Sequence, residues 1–501
     1  MPSRRTVLKA VAAAGAAAVF TGTFGGLRAA YAAGVRTRRS LHGMSLDDPD
    51  LVAWRDFVNF MQLKEQNQLV SWLGFSLQHG NQNAGYKYCP HGDWYFLPWH
   101  REYVLMYERA VQALTLYKNF AMPYWDWTTD RTIPAAFTDP TYKDRPNPLY
   151  VSSRTLNTKN WPLADSVVGP QVLKQIFSAN LFQEFGTSRN PKQNNLDMSW
   201  VVRGGGAQRA LEGTAHNLVH NYIGGFMPSP GSPRDPIFFM HHGNIDRIWW
   251  WWNTSLGNQN TAGMTADEQT WWLDMFYKDN YVTPDGKFYG VKTRDVQSAQ
   301  ALGYTYDKGF PEFSPKKRAV DPERAKRMRA FFDGGVTAAA ITDAPIVLDD
   351  QNTDGATFDK PLVKSKRFPK EALAAVQAKS ETRRAPEVFA MLRNIQVPDA
   401  VSSIRVFVNA DNVTADTPTT DPHFVTEIGF LQHPGGHGGD HADKEPPSSV
   451  IDLTPTLTAL SSAGLLKDDT ITLQIIAVPR EGAAAGEKPQ VVPAAVEIAV
   501  L

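Results

Sequence analysis

From residue 34 to about residue 310 apolar and aromatic positions recur at helical spacing. Val70-Ser71-Trp72-Leu73-Gly74-Phe75-Ser76-Leu77-Gln78-His79 predicts one helix, ending at its histidine. Pro98 opens a second, whose apolar positions include Val104, Leu105, Tyr107, Ala110 and Val111. Ala207 to Ile223 predicts a third, stopped by Gly224-Gly225, and Ile245 to Trp252 the body of a fourth that starts near His241. Pro- and Gly-rich loops such as Met227-Pro228-Ser229-Pro230-Gly231 lie between them as candidate pocket walls. Beyond about Asp307 the texture changes. Lys316-Lys317-Arg318 and Arg324 to Arg329 predict a basic, solvated linker helix, and from about Ile346 short Val/Ile runs alternate with turn residues. Ile404 to Val408, Thr470 to Val478 and Ala495 to Leu501 are such runs, and they predict a β-sandwich-like domain.

A chain of 501 residues calls for more than one ordinary domain. With 51 basic and 51 acidic residues its formal charge is zero, which favours neither nucleic-acid binding nor electrostatic docking on a membrane. Cys89 is the single cysteine, so an intrachain disulfide framework is excluded. At the N-terminus Arg4-Arg5 precedes an uncharged stretch from Ala10 to Leu27, then the small-x-small pattern Ala30-Tyr31-Ala32. Residues 1–33 therefore predict a twin-arginine export signal, an extracellular or periplasmic destination and no membrane association once the signal is removed.

The histidines carry the chemistry. His216 and His220 stand four residues apart, so on a helix both rings leave one face, and His242 on the next helical segment can add a third nitrogen. His79, His91 and His100 repeat the logic: one at a helix end, one in the joining loop, one in the first turn of the next helix. Two antiparallel helix pairs make a four-helix bundle with metals in its core. Neither set has a thiolate or carboxylate ligand at metal-site spacing, and no Glu-x-x-His of the di-iron kind occurs. Neutral imidazoles suit copper, zinc, iron or nickel, and two adjacent three-histidine sites favour a dicopper pair over a single hydrolytic zinc.

At this point the motifs resemble a known family. Cys89-Pro90-His91-Gly92-Asp93-Trp94 through Pro98-Trp99-His100-Arg101 is similar to the first copper signature of tyrosinases and polyphenol oxidases. His216-Asn217-Leu218-Val219-His220 with Asp235-Pro236-Ile237-Phe238-Phe239-Met240-His241-His242 through Asp246-Arg247 is similar to the second. Met122-Pro123-Tyr124-Trp125-Asp126-Trp127 and Gly303-Tyr304-Thr305-Tyr306 also have counterparts there. The resemblance implies a mainly α catalytic domain over 34–306, a linker over 307–345 and a β-rich shielding domain over 346–501. It implies two copper ions, held by His79, His91 and His100 and by His216, His220 and His242, with His241 a neighbour. It also implies O2 as co-substrate, small phenols oxidised to ortho-quinones, and a latent proenzyme activated by cleavage in the linker. A copper chaperone is a further candidate partner.

Particular residues follow from the same likeness. Cys89 stands two before His91, a Cys-x-His arrangement that in fungal tyrosinases and molluscan haemocyanins is a thioether. Glu212 and Asn217 match the pair that holds a proton-accepting water for monophenols; Asn221 borders the pocket mouth, and Asp246 orients a ligand or anchors a helix. The loop from Met227 to Pro236 carries no aromatic residue, which implies an open entrance. His433, His437 and His441 form a solvated loop or a copper-transfer tract. A haemocyanin-like O2 carrier is the competing reading, and a one-zinc hydrolase the third.

Overall fold

The computed structural model describes residues 34–159, 161–313, 319–334, 355–367, 387–432, 444–466, 469–483 and 489–501. The export-signal expectation for 1–33 and the loop bearing His433, His437 and His441 lie outside them. Among the described residues no helix is long and apolar enough to cross a membrane.

Each predicted helix is present, with shifted ends. Trp72–Ser76 is a short helix capped by Ser71, whose side chain accepts from the Gly74 amide. It stops before His79, which therefore stands in the following turn, not on the helix. The second helix, Phe96–Leu114, starts two residues ahead of Pro98. Proline is tolerated there because amides in a first turn have no partner inside the helix. The fourth runs from Ile237 to Thr254 and is buried on nearly every side, as a helix apolar all round must be. Pro236 sets its start, four residues earlier than His241.

The third segment departs most from the periodicity. Ala207–Gln208 is a short strand, Ala210–His216 is π-helical, and only Asn217–Ile223 is α-helical. The Asn217 amide bonds the Glu212 carbonyl five residues back, the signature of the wider turn. Gly224 ends the segment at φ +73°, where a side chain would also run into Thr155.

The C-terminal part forms two four-stranded sheets around a core that includes Leu392, Ile404, Val406, Leu473, Ile475 and Ile498. One sheet joins Leu362–Arg367, Thr470–Pro479, Val401–Val408 and Phe424–Gly429 in that order, all antiparallel. The other joins Ala495–Val500, Val388–Arg393, Ser448–Asp452 and, at its edge, Ala207–Gln208. That last strand comes from the helical region and pairs in parallel with Ser448 and Ser449. The sandwich is thus completed by the segment that leads into His216.

Lys316-Lys317-Arg318 lies outside the described residues, and the Arg324 to Arg329 part of the basic stretch is not a solvated helix. Pro322–Phe332 is capped by Asp321 and buries Arg324, Met328, Phe331 and Phe332. The aromatic end packs with Leu181 from the helical region and with Phe389, Met391 and Val450 from the second sheet. Arg324 lies within 2.7 Å of Glu184 and 2.6 Å of Glu387. Alternation of charge with Met and Phe at helical spacing marks a wedge, and the charges at 324 and 329 obscure it in sequence.

Candidate metal centre

Three ring orientations are set by groups that can only accept a hydrogen bond. His79 Nδ1 donates to the Pro230 carbonyl at 2.7 Å, His100 Nδ1 to the Phe96 carbonyl at 2.8 Å and His220 Nδ1 to the Met227 carbonyl at 2.6 Å. A ring so engaged carries its proton on Nδ1 and turns an unprotonated Nε2 toward the cavity. His216 Nδ1 donates to Asn217 Oδ1 at 2.8 Å, and His91 Nδ1 faces Glu212 Oε1 at 3.4 Å. Burial, with mutual repulsion among the rings, pushes the basicity of His79, His91, His216 and His242 well down. Burial, opposed by the bond to the Phe96 carbonyl and aided by repulsion from His220, takes His100 to about 3, and burial opposed by the bond to the Met227 carbonyl takes His220 to about 4. All six are neutral imidazoles near pH 7.

The free nitrogens converge. The His242 Nε2 stands 3.3 Å from His216 Nε2 and 3.2 Å from His220 Nε2. The Nε2 atoms of His79 and His91 are buried with no hydrogen-bond partner among the described residues. His79, Cys89, His91 and His100 form one group, and His216, His220 and His242 another, whose donor atoms lie within 4.8 Å of one another. The two groups face each other, with ring centroids of His100 and His242 4.4 Å apart and those of His91 and His216 5.4 Å apart. Lone pairs packed this tightly repel unless a cation lies between them, so the donor set fits two metal ions with imidazole ligation. His241 turns away, its Nδ1 accepting from the Trp127 indole at 3.1 Å.

Asp246 ties the two halves together. Its carboxylate receives Arg101 Nε at 2.5 Å, Arg38 at 3.2 Å and the hydroxyls of Tyr304 and Tyr306 at 2.7 and 2.5 Å. Arg101 follows His100, and Asp246 is one turn beyond His242, so this clamp sets the spacing of the helices that carry them. It anchors a helix and does not line the pocket.

Glu212 is fully buried, with Oε1 accepting from the Gly92 amide at 2.8 Å and Oε2 from the Thr187 hydroxyl. The π-turn carries it away from the position below His216 that α-helical spacing implies and aims it at the loop bearing His91. Burial, opposed by those hydrogen bonds, raises its carboxyl to about 7. Gln208 accepts from Asn217 Nδ2 at 3.4 Å and also acts on Glu212, so it stands between the two predicted partners. The only trace of Gln208 in the sequence is its place just before the histidine helix.

The C-terminal sheets close the mouth. Asn217 donates to the Gly429 carbonyl at 2.8 Å, Asn221 to those of Ser402 and Phe430 at 2.8 and 3.1 Å, and Gln432 to that of Pro228 at 2.7 Å. The missing aromatic in the Met227–Pro236 loop therefore does not leave an open entrance. That loop supplies carbonyls that orient His79 and His220, and the covering comes from the sandwich. Tyr86, with its centroid 4.9 Å from that of His91, and Lys444 also lie beside the site; sequence reasoning passed over both.

Fold and site together define a protein that carries a pair of facing three-histidine metal centres on a helical frame roofed by a β-sandwich. Residues 68–255 match the family described as the common central domain of tyrosinase. The chain is 26% identical over 486 residues to the tyrosinase HcTyr1 of a Hahella strain, covering 88% of this chain and 95% of that one. It is 29% identical over 427 residues to the chloroplastic polyphenol oxidase of Malus domestica, covering 78% of this chain and 65% of that one. Its fold is similar to that of a latent aurone synthase, a polyphenol oxidase, with a TM-score of 0.65 at 18% identity and coverage of 93% and 90%. Residues 68–255 are thus a tyrosinase domain of a copper-dependent oxidoreductase, and its cofactor is a pair of copper ions.

Proposed function

We propose that this protein oxidises ortho-diphenols, and hydroxylates monophenols, to ortho-quinones with O2, and that it is made as a latent proenzyme. The observation that carries the reading is the facing of two three-imidazole groups, with His79, His91 and His100 on one copper and His216, His220 and His242 on the other. The helical segments bearing them we read as a four-helix bundle. Two copper ions bound there would supply the electron path from phenol to O2. The chain's own residues do the rest. Carbonyls at Pro230, Phe96 and Met227 hold the imidazoles in the ligating tautomer. Glu212 and Asn217, on either side of Gln208, hold the water that takes the phenolic proton; Gly92 and Gln208 line the cavity in front of Glu212.

Support for latency comes from the sandwich contacts at Asn217 and Asn221, which lie across the path a phenol must take. Cleavage within 307–345, on either side of the packed Pro322–Phe332 helix, releases them. Cys89 we assign to a thioether with His91, formed by loss of the thiol hydrogen and one ring hydrogen, with O2 taking up the two electrons. Export by the twin-arginine route, with copper loaded before translocation, is part of the same reading. The test is to load the full chain with copper and follow O2 uptake on catechol and on the matching monophenol, before and after proteolysis. Two coppers per chain, quinone from both substrates and a rise on cleavage are expected. One metal per chain, or reversible O2 binding without catechol turnover, overturns the reading in favour of a zinc hydrolase or an O2 carrier.

A further inference from the structure

The indole of Trp99 stands against the first histidine group, its centroid 5.0 Å from that of His100 and 6.1 Å from that of His79. Among the described residues two lines of phenol rings lead away from it. One runs through Tyr103 at 4.9 Å and on to Tyr107 at 5.4 Å, and ends beside Trp54 and Trp72 with every ring buried in the core. The other runs from Trp99 to Tyr281 at 5.7 Å and from Tyr281 to Tyr289 at 5.5 Å. Tyr281 is buried, whereas Tyr289 is half-buried beside the exposed Phe288, so this line reaches solvent. Rings this close are in contact, and electrons tunnel in short steps between such rings. A phenol gives up an electron readily only where its proton has somewhere to go. The Trp99 indole donates to Asn280 Oδ1 at 2.9 Å and the Tyr281 hydroxyl to the Trp99 carbonyl at 3.2 Å, and neither acceptor is a base. The Tyr289 hydroxyl donates instead to Glu102 Oε1 at 2.8 Å. The other oxygen of that carboxyl group is buried with no hydrogen-bond partner among the described residues.

We propose that Trp99, Tyr281 and Tyr289 form an electron relay between the metal centre and the surface, through which a reductant that never enters the closed mouth reduces peroxide at the metals. The proposal rests on the assignment of copper to the six histidines. In each step the Tyr289 O–H bond breaks, the proton passes to Glu102 and one electron travels through Tyr281 and Trp99 to the centre. A reductant at the surface then returns one electron to Tyr289, and Glu102 returns the proton. Two such turns, with two protons from solvent, convert one hydrogen peroxide into two waters, while one enediol reductant loses two electrons and two protons.

To test this, the copper-loaded full chain is mixed with hydrogen peroxide in the absence of phenols, frozen and read by electron paramagnetic resonance. A parallel sample is treated with a spin trap and mapped by peptide mass. A tyrosyl radical is expected, with the trap on Tyr289. Tyr289→Phe and Tyr281→Phe are each expected to lose the signal, and Tyr107→Phe, on the buried line, to keep it. Ferrocyanide, a one-electron reductant, is expected to quench the signal and to be oxidised by the wild-type chain but not by Tyr289→Phe. No radical in the wild-type chain, a trap on Tyr107 or Trp54, or a signal that persists in Tyr289→Phe and Tyr281→Phe overturns the relay. So does the same radical in the copper-free chain. If either variant fails to fold, the position of the trap in the wild-type chain decides without it. The same preparation, once cleaved, is assayed on catechol. Catechol turnover without a Tyr289 radical refutes the relay alone; a Tyr289 radical without catechol turnover leaves the relay standing and refutes the oxidase reading.

Discussion

The Sγ of Cys89 lies 3.2 Å from Nε2 of His100, inside the group that His79 and His91 complete. Burial pushes the Cys89 thiol well up, so the sulfur is a neutral thiol among neutral rings. Tryptic cleavage after Lys87 and Arg101 leaves Cys89, His91 and His100 on one peptide. From the copper-loaded chain that peptide is expected two hydrogens lighter than its sequence mass, with fragmentation placing the link at His91. A peptide of full mass, or a link at His100, rejects the thioether assigned above.

Copper occupancy should divide by helix pair. His220→Ala removes a ligand from one group only, so copper per chain is expected to fall from two to one while far-ultraviolet circular dichroism is kept. Stripping both ions with a chelator is expected to lower Tm, since a ligand at a hundredfold its Kd contributes about 2.7 kcal/mol to the folded state. A His220→Ala chain that still holds two coppers would contradict the ligand assignment.

Asp246 is expected to act on stability and only through it on activity. Four donors converge on its buried carboxylate, so Asp246→Asn should cost about 3 kcal/mol by leaving Arg101 and Arg38 undercompensated. Although burial opposes ionisation, Arg101, Arg38 and the two tyrosines hold this carboxyl below its ordinary value. A depressed folded-state value means the contribution is present above the unfolded value, about 3.9, and drains away as pH falls below it. Denaturant titrations between pH 7 and pH 3 should show the gap between wild type and variant begin to close near pH ~4. A gap that stays constant to pH 3 would rule the clamp out.

Latency is expected to respond to Arg324. Arg324→Leu leaves Glu184 and Glu387 without their shared cation, which should weaken docking of the Pro322–Phe332 helix by about 3–5 kcal/mol. The variant should be cut faster within 307–345 and should oxidise catechol faster before any protease is added. Unaltered cleavage and activity would separate this helix from activation.

Glu212→Gln keeps the hydrogen bond from Gly92 and removes the proton acceptor. Monophenol turnover is expected to drop by at least about 100-fold, a usual loss for a general base, and catechol turnover by much less. Parallel losses on both substrates, with copper retained, would assign Glu212 to positioning His91.

Much of this molecule could be read from its order of residues. Histidine spacing and flanking motifs located both metal groups, because a ligand on a helix must fall on one face and the next must come from a nearby turn. The Val/Ile runs located the sandwich because strands alternate and turns interrupt them. What sequence could not supply is whatever depends on segments far apart in the chain. The π-turn at Ala210–His216 has no periodic signature, yet it aims Glu212 at the other metal's loop. Ala207–Gln208 becomes a strand only because Ser448 and Ser449 offer an edge to pair with. Arg324 reads as solvated until Glu184 and Glu387, 140 and 63 residues away, arrive beside it. Local spacing decided which side chains can ligate; only packing, which joins distant partners and excludes water, decided what surrounds them and what closes over them.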